Sequence, residues 1–223
     1  YTCTYAPLPR LRELYGQALA LPGAVGLHIA TRADCLPEPV LDLLSEINGR
    51  THLVVELGLQ TVHDETACRI GRGHDYAAFL RGYESLNSRG IRVCVHIING
   101  LPGENREMML ETARELARLH AFSVKIHLLH IMRGTRLADW YAAGEFSEMS
   151  LEDYASTVVS QLELLPPDTV IGRVTGDGAA DGLVAPLWSR KKFVVMNEID
   201  KELVRRGSMQ GSRYAVNGSP HGV

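Results

Sequence analysis

Apolar and polar positions alternate along residues 53–60. Leu53, Val55, Leu57 and Leu59 fall on one side, and Glu56, Gly58 and Gln60 on the other. Period two predicts a strand with one apolar and one polar face. The polar side carries an acid, a glycine and an amide in a row, and glycine there lets another group approach the backbone. A half-exposed strand facing water reads the same way in isolation. The segments around it change the picture.

Upstream, Leu11, Leu14, Tyr15 and Ala18 give an apolar stripe for a helix over 9–20, ended by Pro22-Gly23. A strand follows over 25–31, with Val25, Leu27 and Ile29 on one face and Gly26, His28 and Ala30 on the other. A helix over 40–47 opens with Pro37-Glu38-Pro39 and closes at Asn48-Gly49. Downstream of the central strand, a short helix runs to about Arg69 and breaks at Arg72-Gly73-His74. Asp75 caps a helix to about Ser88. A strand over 91–98 sets Val93, Val95 and Ile97 against Cys94, His96 and Ile98. A periodic helix spans 107–119. A strand over 124–130 sets Val124, Ile126 and Leu128 against Lys125, His127 and Leu129. Then come helices over 136–143 and 150–165, the second opened by a Ser150-Leu-Glu-Asp153 cap and ended by Pro166-Pro167. A short strand over 170–174 precedes Gly176-Asp177-Gly178, and a last helix covers 195–206.

Strands alternating with helix-length connections predict a parallel α/β fold. No glycine-rich phosphate loop follows a strand, which disfavours a dinucleotide fold. Polar residues recur on one face of successive strands: His28, then Glu56 and Gln60, then His96, then Lys125 and His127. A full or partial barrel of parallel strands gathers those faces around one cavity. The expected organisation is a barrel over 1–145, a C-terminal extension of helix and strand over 146–210, and a mobile tail over 211–223. The opening Tyr1-Thr2-Cys3-Thr4-Tyr5 reads as the end of a strand whose start lies upstream.

Composition adds exclusions. Of 223 residues, 45% are hydrophobic, enough for a large core, and the net charge of −3 argues against global nucleic-acid affinity. A basic cluster at Arg190, Lys191, Lys192, Lys201, Arg205 and Arg206 is either a solvated face or a local phosphate contact. No apolar run reaches membrane-spanning length. The four cysteines, Cys3, Cys35, Cys68 and Cys94, form no CxxC or CxxxCxxC pattern and so no metal site. A few free thiols suit the reducing cytoplasm.

The segments Thr31-Arg32-Ala33-Asp34, Glu56-Leu57-Gly58-Leu59-Gln60, Gly71-Arg72-Gly73-His74 and Gly100-Leu101-Pro102-Gly103-Glu104 resemble the radical SAM superfamily in order and spacing. Lys125 to Thr135 and Leu165-Pro166-Pro167 are similar to the bacterial proteins related to the catalytic subunit of Elongator. The resemblance implies a partial (β/α)6 TIM-type barrel, with S-adenosylmethionine (SAM) lying across the strand C-terminal ends. It implies a [4Fe-4S] cluster that reductively cleaves SAM to a 5′-deoxyadenosyl radical, with an electron donor such as flavodoxin or ferredoxin. It also implies tRNA, at the wobble uridine, as substrate. The three cluster cysteines are expected upstream of Tyr1, leaving this stretch alone inactive.

By position, the resemblance assigns Gln60 and Arg72 to the carboxylate or ribose region of SAM, and His96 to its ribose. Gly100 shapes the loop beside the adenine. Ala30 stands where many members carry Glu, a place that Glu56 on the next strand can take. Lys125 and His127 are the candidates for substrate contact. Two other readings use the same residues: a barrel enzyme with Lys125 as Schiff-base nucleophile, and a barrel that binds SAM or RNA without chemistry.

Overall fold

All five predicted strands pair into one parallel sheet. The computed structural model describes residues 2–176 and 181–215. In it β1 (Gly26–Thr31), β2 (His52–Gln60), β3 (Arg92–Asn99), β4 (Ser123–Leu128) and β6 (Val170–Arg173) lie in the order β1-β2-β3-β4-β6. Helices α1 (Leu8–Leu19), α2 (Glu38–Asn48), α4 (Tyr76–Asn87), α5 (Arg106–Arg118) and α7 (Leu151–Leu164) cover one face. This is the α/β architecture of a partial TIM-type barrel. β6 comes from the segment after residue 145 and joins the same sheet, so the C-terminal part completes the wall beside β4.

The two-faced strands explain the layering. Ile29, Leu53, Val55, Leu57, Leu59, Val93, Val95, Ile97, Val124, Ile126 and Leu128 are almost wholly buried in one core with the helices. Their burial drives the sheet to place its polar alternates on the opposite, open face. Local signals set the helix starts. Asp75, Asn105, Thr135 and Ser150 each accept a backbone N–H from the first turn of α4, α5, α6 (Arg136–Ala142) and α7. Across the core, Asn99 at the end of β3 and Gln161 on α7 exchange two hydrogen bonds of 2.8 Å, satisfying both buried amides.

Several boundaries differ from the sequence pattern. Leu14 is exposed, because α1 turns Leu11 and Tyr15 inward and leaves their neighbour on the rim. Val25 is 87% exposed and precedes β1. β4 stops at Leu128, where the Leu129 N–H turns to the Asn99 carbonyl at 2.9 Å. A small antiparallel ribbon, β5 (Ile131–Met132) with β7 (Leu183–Ala185), has no counterpart in the pattern. Helix α8 (Lys192–Arg206) begins three residues earlier than its periodicity suggests. The expected tail is tied at its start: Gly211 N–H donates to Leu162 and Arg213 N–H to Glu163. Residues 216–223, Tyr1 and the segment 177–180, which includes Asp177 and Gly178, lie outside the described residues.

Candidate active site on the open face of the sheet

Strand register turns the polar alternates into one contiguous belt. Ala30 sits beside Glu56, Gly58 beside His96, and His96 beside Lys125. Glu56 is the centre. Its Oε1 accepts from His28 Nδ1 at 3.1 Å, and its Oε2 accepts from His96 Nε2 at 2.8 Å and Lys125 Nζ at 2.7 Å. Three strands thus converge on one carboxylate whose side chain is 12% exposed.

The electrostatics follow. Burial alone raises the Glu56 pKa, but Lys125 and His28 outweigh it and hold the group at about 2. The ionised carboxylate has only acceptors, so each imidazole must present N–H to it. His96 Nε2 is therefore protonated, which leaves Nδ1 of the neutral ring as an acceptor. Burial lowers the His96 pKa and favours that neutral form. The His127 ring, on the next strand, lies tilted beside that of His96 with centroids 5.0 Å apart. Burial first, then His96, Arg173, Lys125 and His130, push the His127 pKa down to about 4. Its Nε2 is buried without a hydrogen-bond partner.

At the C-terminal end of β2 the geometry is unusual. Gln60 has φ of +74° at a register shift between β2 and β3. This left-handed conformation costs a non-glycine residue about 1–2 kcal/mol. Arg72 reaches back from the end of the α3 (Asp64–Arg69) segment and donates through Nη2 to the Gly58 carbonyl. A Cβ at Gly58 would lie 2.7 Å from Gln60 Nε2 and 2.9 Å from Arg72 Nη2. Arg72 is half-buried, which lowers its pKa, and its Nε has no partner. Nearby, Arg32 grips Asp34 with bonds of 2.9 and 2.6 Å and lies 3.1 Å from a Cβ position at Gly73.

Gly100 adopts φ of +85° and opens the loop after β3. Together with Leu101, Pro102, Met109, Phe146 and Met149 it lines a cavity of about 270 Å³. Thr61 Oγ1 donates to Glu104, which pins this loop to the one after β2. Burial raises the pKa of that carboxyl.

The structure thus brings Glu56, His96, Lys125 and His127 together, and Gln60 with Arg72, while Gly100 lies on the neighbouring loop. His28, Arg173 and His130 join the belt without having been assigned a site role from sequence. His28 already stood on the polar face in the sequence pattern. Arg173 and His130 carried no periodic signal, because one ends a four-residue strand and the other follows β4.

The residues can offer donors to a carboxylate-bearing ligand and do not fit an iron–sulfur cluster. An arginine with an unpartnered buried N–H, an amide beside it and a glycine floor suit a carboxylate-bearing ligand. The four cysteines are free and lie on separate elements, Cys94 in the core of β3. Among the described residues no group of His, Cys, Asp and Glu is placed to hold a metal ion. No described helix is long and apolar enough to cross a membrane.

Comparison with known proteins gives the kinship. Residues 4–116 match the radical SAM superfamily, and residues 122–205 match the Radical_SAM C-terminal domain. Protein YtqA of Bacillus subtilis is 49% identical over 214 residues, covering 96% of this chain and 66% of YtqA. Human Elongator complex protein 3 is 30% identical over 162 residues, covering 71% of this chain and 29% of that protein. The archaeal Elp3 structure from Methanocaldococcus infernus superposes with a TM-score of 0.71 at 22% identity, over 83% of this chain and 43% of that one, and so shares the fold. The chain spans about two thirds of the length of YtqA. A partial barrel with its polar belt on the open face, matched over these two segments, places the chain in the radical SAM superfamily, among the proteins related to Elongator complex protein 3.

Proposed function

We propose that the full-length protein is a radical SAM enzyme and that this chain supplies its SAM and substrate surfaces. The observation that carries the reading is Arg72, whose half-buried guanidinium lies over Gly58 with Nε unpartnered. Arg72 takes the SAM carboxylate, and Gln60 Nε2 adds a neutral donor beside it. His96 offers its Nδ1 to a ribose hydroxyl, in the tautomer that Glu56 imposes. Glu56, with both oxygens engaged by protein donors, acts through His96 rather than on the ligand directly. The Gly100 loop supplies the apolar walls for the adenine. Lys125 and His127 face the substrate.

In this family the cluster supplies the electron that cleaves SAM. We infer that this chain does not supply its ligands, since the cysteines here do not converge. Anaerobic reconstitution of the 223-residue chain should then yield no stoichiometric iron and sulfide. The kinship with Elongator complex protein 3 supports tRNA as the substrate, with flavodoxin or ferredoxin as electron donor in the cytoplasm. Lys125 as a Schiff-base nucleophile is the weaker reading, because its Nζ is engaged with an ionised carboxylate 2.7 Å away.

Calorimetric titration of SAM into the cluster-loaded full-length protein tests the site. Arg72→Ala removes a charge-assisted bond of about 2–3 kcal/mol, a roughly thirty- to hundredfold loss of affinity. Gln60→Ala costs about 1 kcal/mol. Equal SAM affinities for Arg72→Ala and wild type would remove Arg72 from the site.

A further inference from the structure

Helix α8 is apolar on the side that it does not bury. Val195, Ile199 and Glu202 face inward, and Arg206 ties the helix to α7. At about 100° per residue, Phe193, Asn197, Asp200 and Val204 fall on the opposite side, and all four are exposed. Phe193 and Val204 are each 81% exposed. Val194 and Met196 flank the same side and are exposed as well. A surface helix normally turns its polar residues outward. Apolar residues scattered singly over a surface need no explanation, whereas a contiguous row marks an interaction site.

The spacing of the row says what fits it. Phe193, Asn197, Asp200 and Val204 follow one another at steps of four, three and four residues, the alternation of a coiled-coil seam. The row is also its own complement. Phe193 and Val204 lie equally far from the point between Glu198 and Ile199, and so do Asn197 and Asp200. Two copies with antiparallel helices therefore set Phe193 of one against Val204 of the other, and Asn197 against Asp200, each contact occurring twice. Apolar groups meet at both ends of the row, and an amide donor meets a carboxylate near its middle.

The charges agree with that pairing. Lys201 lies 3.4 Å from Glu198 with its side chain 73% exposed, next to the seam and within reach of Asp200 of the second copy. Arg205 and Arg206 are engaged with Glu202, and Lys191 and Lys192 precede the row, so like charges do not meet within it. Leu187 before the helix and Met209 after it are exposed too, again equally far from Glu198.

We propose that α8 is a self-association surface through which two copies of the protein pair, antiparallel, about a two-fold axis between Glu198 and Ile199. The 15 residues of α8 run for about 22 Å. A helix pair of that length lies near the lower limit of a specific interface, roughly 1,000 Å² in total. Association is therefore expected at micromolar concentration, with Phe193 as its main anchor. The pairing leaves the open face of the sheet accessible, because α8 packs on α7 in the helical layer behind the sheet.

The test is sedimentation equilibrium of the full-length protein from nanomolar to high micromolar concentration, without SAM. The wild type should pass from monomer to dimer. Phe193→Glu and Val204→Lys should each weaken the dimer at least tenfold. Both positions are exposed, so the variants should keep the wild-type melting midpoint, and Asp200→Lys is a further exposed substitution that should weaken the dimer should either fail to fold. The double variant with Phe193→Glu and Val204→Lys should recover the dimer, because the new carboxylate of one copy then meets the new ammonium of the other. Within one chain the two positions are too far apart along the helix to pair. A wild type that stays monomeric throughout overturns the proposal, as does a dimer that all these variants leave unchanged. Loss in the single variants without recovery in the double variant overturns the antiparallel pairing and assigns the face to a different partner.

Discussion

The side chain of Arg72 occupies the space that a Cβ on Gly58 would need. Its Nη2 lies 2.9 Å from that position and donates to the Gly58 carbonyl. Gln60 Nε2 crowds the same point at 2.7 Å. Both are far ends of flexible side chains, so a methyl group there displaces the site before it disturbs the core. Gly58→Ala should melt within a few degrees of wild type and bind SAM roughly tenfold or more weakly, as expected for loss of one charge-assisted bond. Scanning calorimetry and SAM titration on the same sample check the split. A parallel loss of stability and affinity would mean that Gly58 serves packing instead.

Gln60 holds a left-handed backbone conformation that glycine adopts freely. Strain of this kind persists where a site needs the side chain. Gln60→Gly should therefore be more stable than Gln60→Ala by about 1 kcal/mol, while both lose the same part of the SAM affinity. Urea denaturation ranks the pair. If Gln60→Gly is the less stable of the two, the conformation is not strained.

The apolar alternation made the five strands legible, because each had to bury one face against helices. It also named most of the belt, since period two fixes which residues share a face. It could not show that Glu56 collects His28, His96 and Lys125 at once. That depends on register between strands far apart in sequence, which alternation leaves open. The β5–β7 ribbon was illegible for a simpler reason: strands of two and three residues carry no period. The left-handed turn at Gln60 was hidden because the amide sits in an otherwise regular strand pattern. Leu14 misled because a helical stripe has edges, and its edge faces solvent.

Acid should weaken the fold in two successive windows. The native pKa of His127 is about 4 against an ordinary 6.5. Between those values the unfolded chain binds a proton that the native belt refuses, so stability falls as pH drops from 6.5 toward 4. His96 is shifted in the same direction. Glu56, held at about 2 against 4.5, contributes stability above 4.5 that is lost as pH falls through 2. The groups facing His127 are Glu56 on β2 through His96 on β3, Lys125 on its own strand, Arg173 on β6, and His130. Urea midpoints of the wild type should decline between pH 7 and 5, and those of His127→Gln should decline less. Identical slopes for the two proteins would place the titrating group elsewhere.

The basic cluster on α8 divides into two kinds of residue. Arg206 Nε donates to Glu202 at 2.6 Å, and its other nitrogens reach Ser160 Oγ at 2.8 Å and the Ser156 carbonyl at 3.0 Å. It also stands 3.5 Å from Glu163, a carboxylate 1% exposed that Arg213 approaches at 3.3 Å. Arg205 is engaged with Glu202 as well. These arginines dock α8 on α7, and Arg206→Ala should cost about 3 kcal/mol by leaving a buried carboxylate underpaired. A fall in tRNA affinity of that variant would say nothing of RNA contact. Lys191 and Lys192, at the start of α8, are the informative pair. The double substitution Lys191→Glu with Lys192→Glu should leave the unfolding free energy within about 1 kcal/mol of wild type. If the pair contacts phosphates, tRNA affinity falls and the slope of log affinity against log salt flattens by about 2. Filter binding across a salt series measures both. An unchanged slope in a fully folded double variant would identify the cluster as an ordinary solvated helix face.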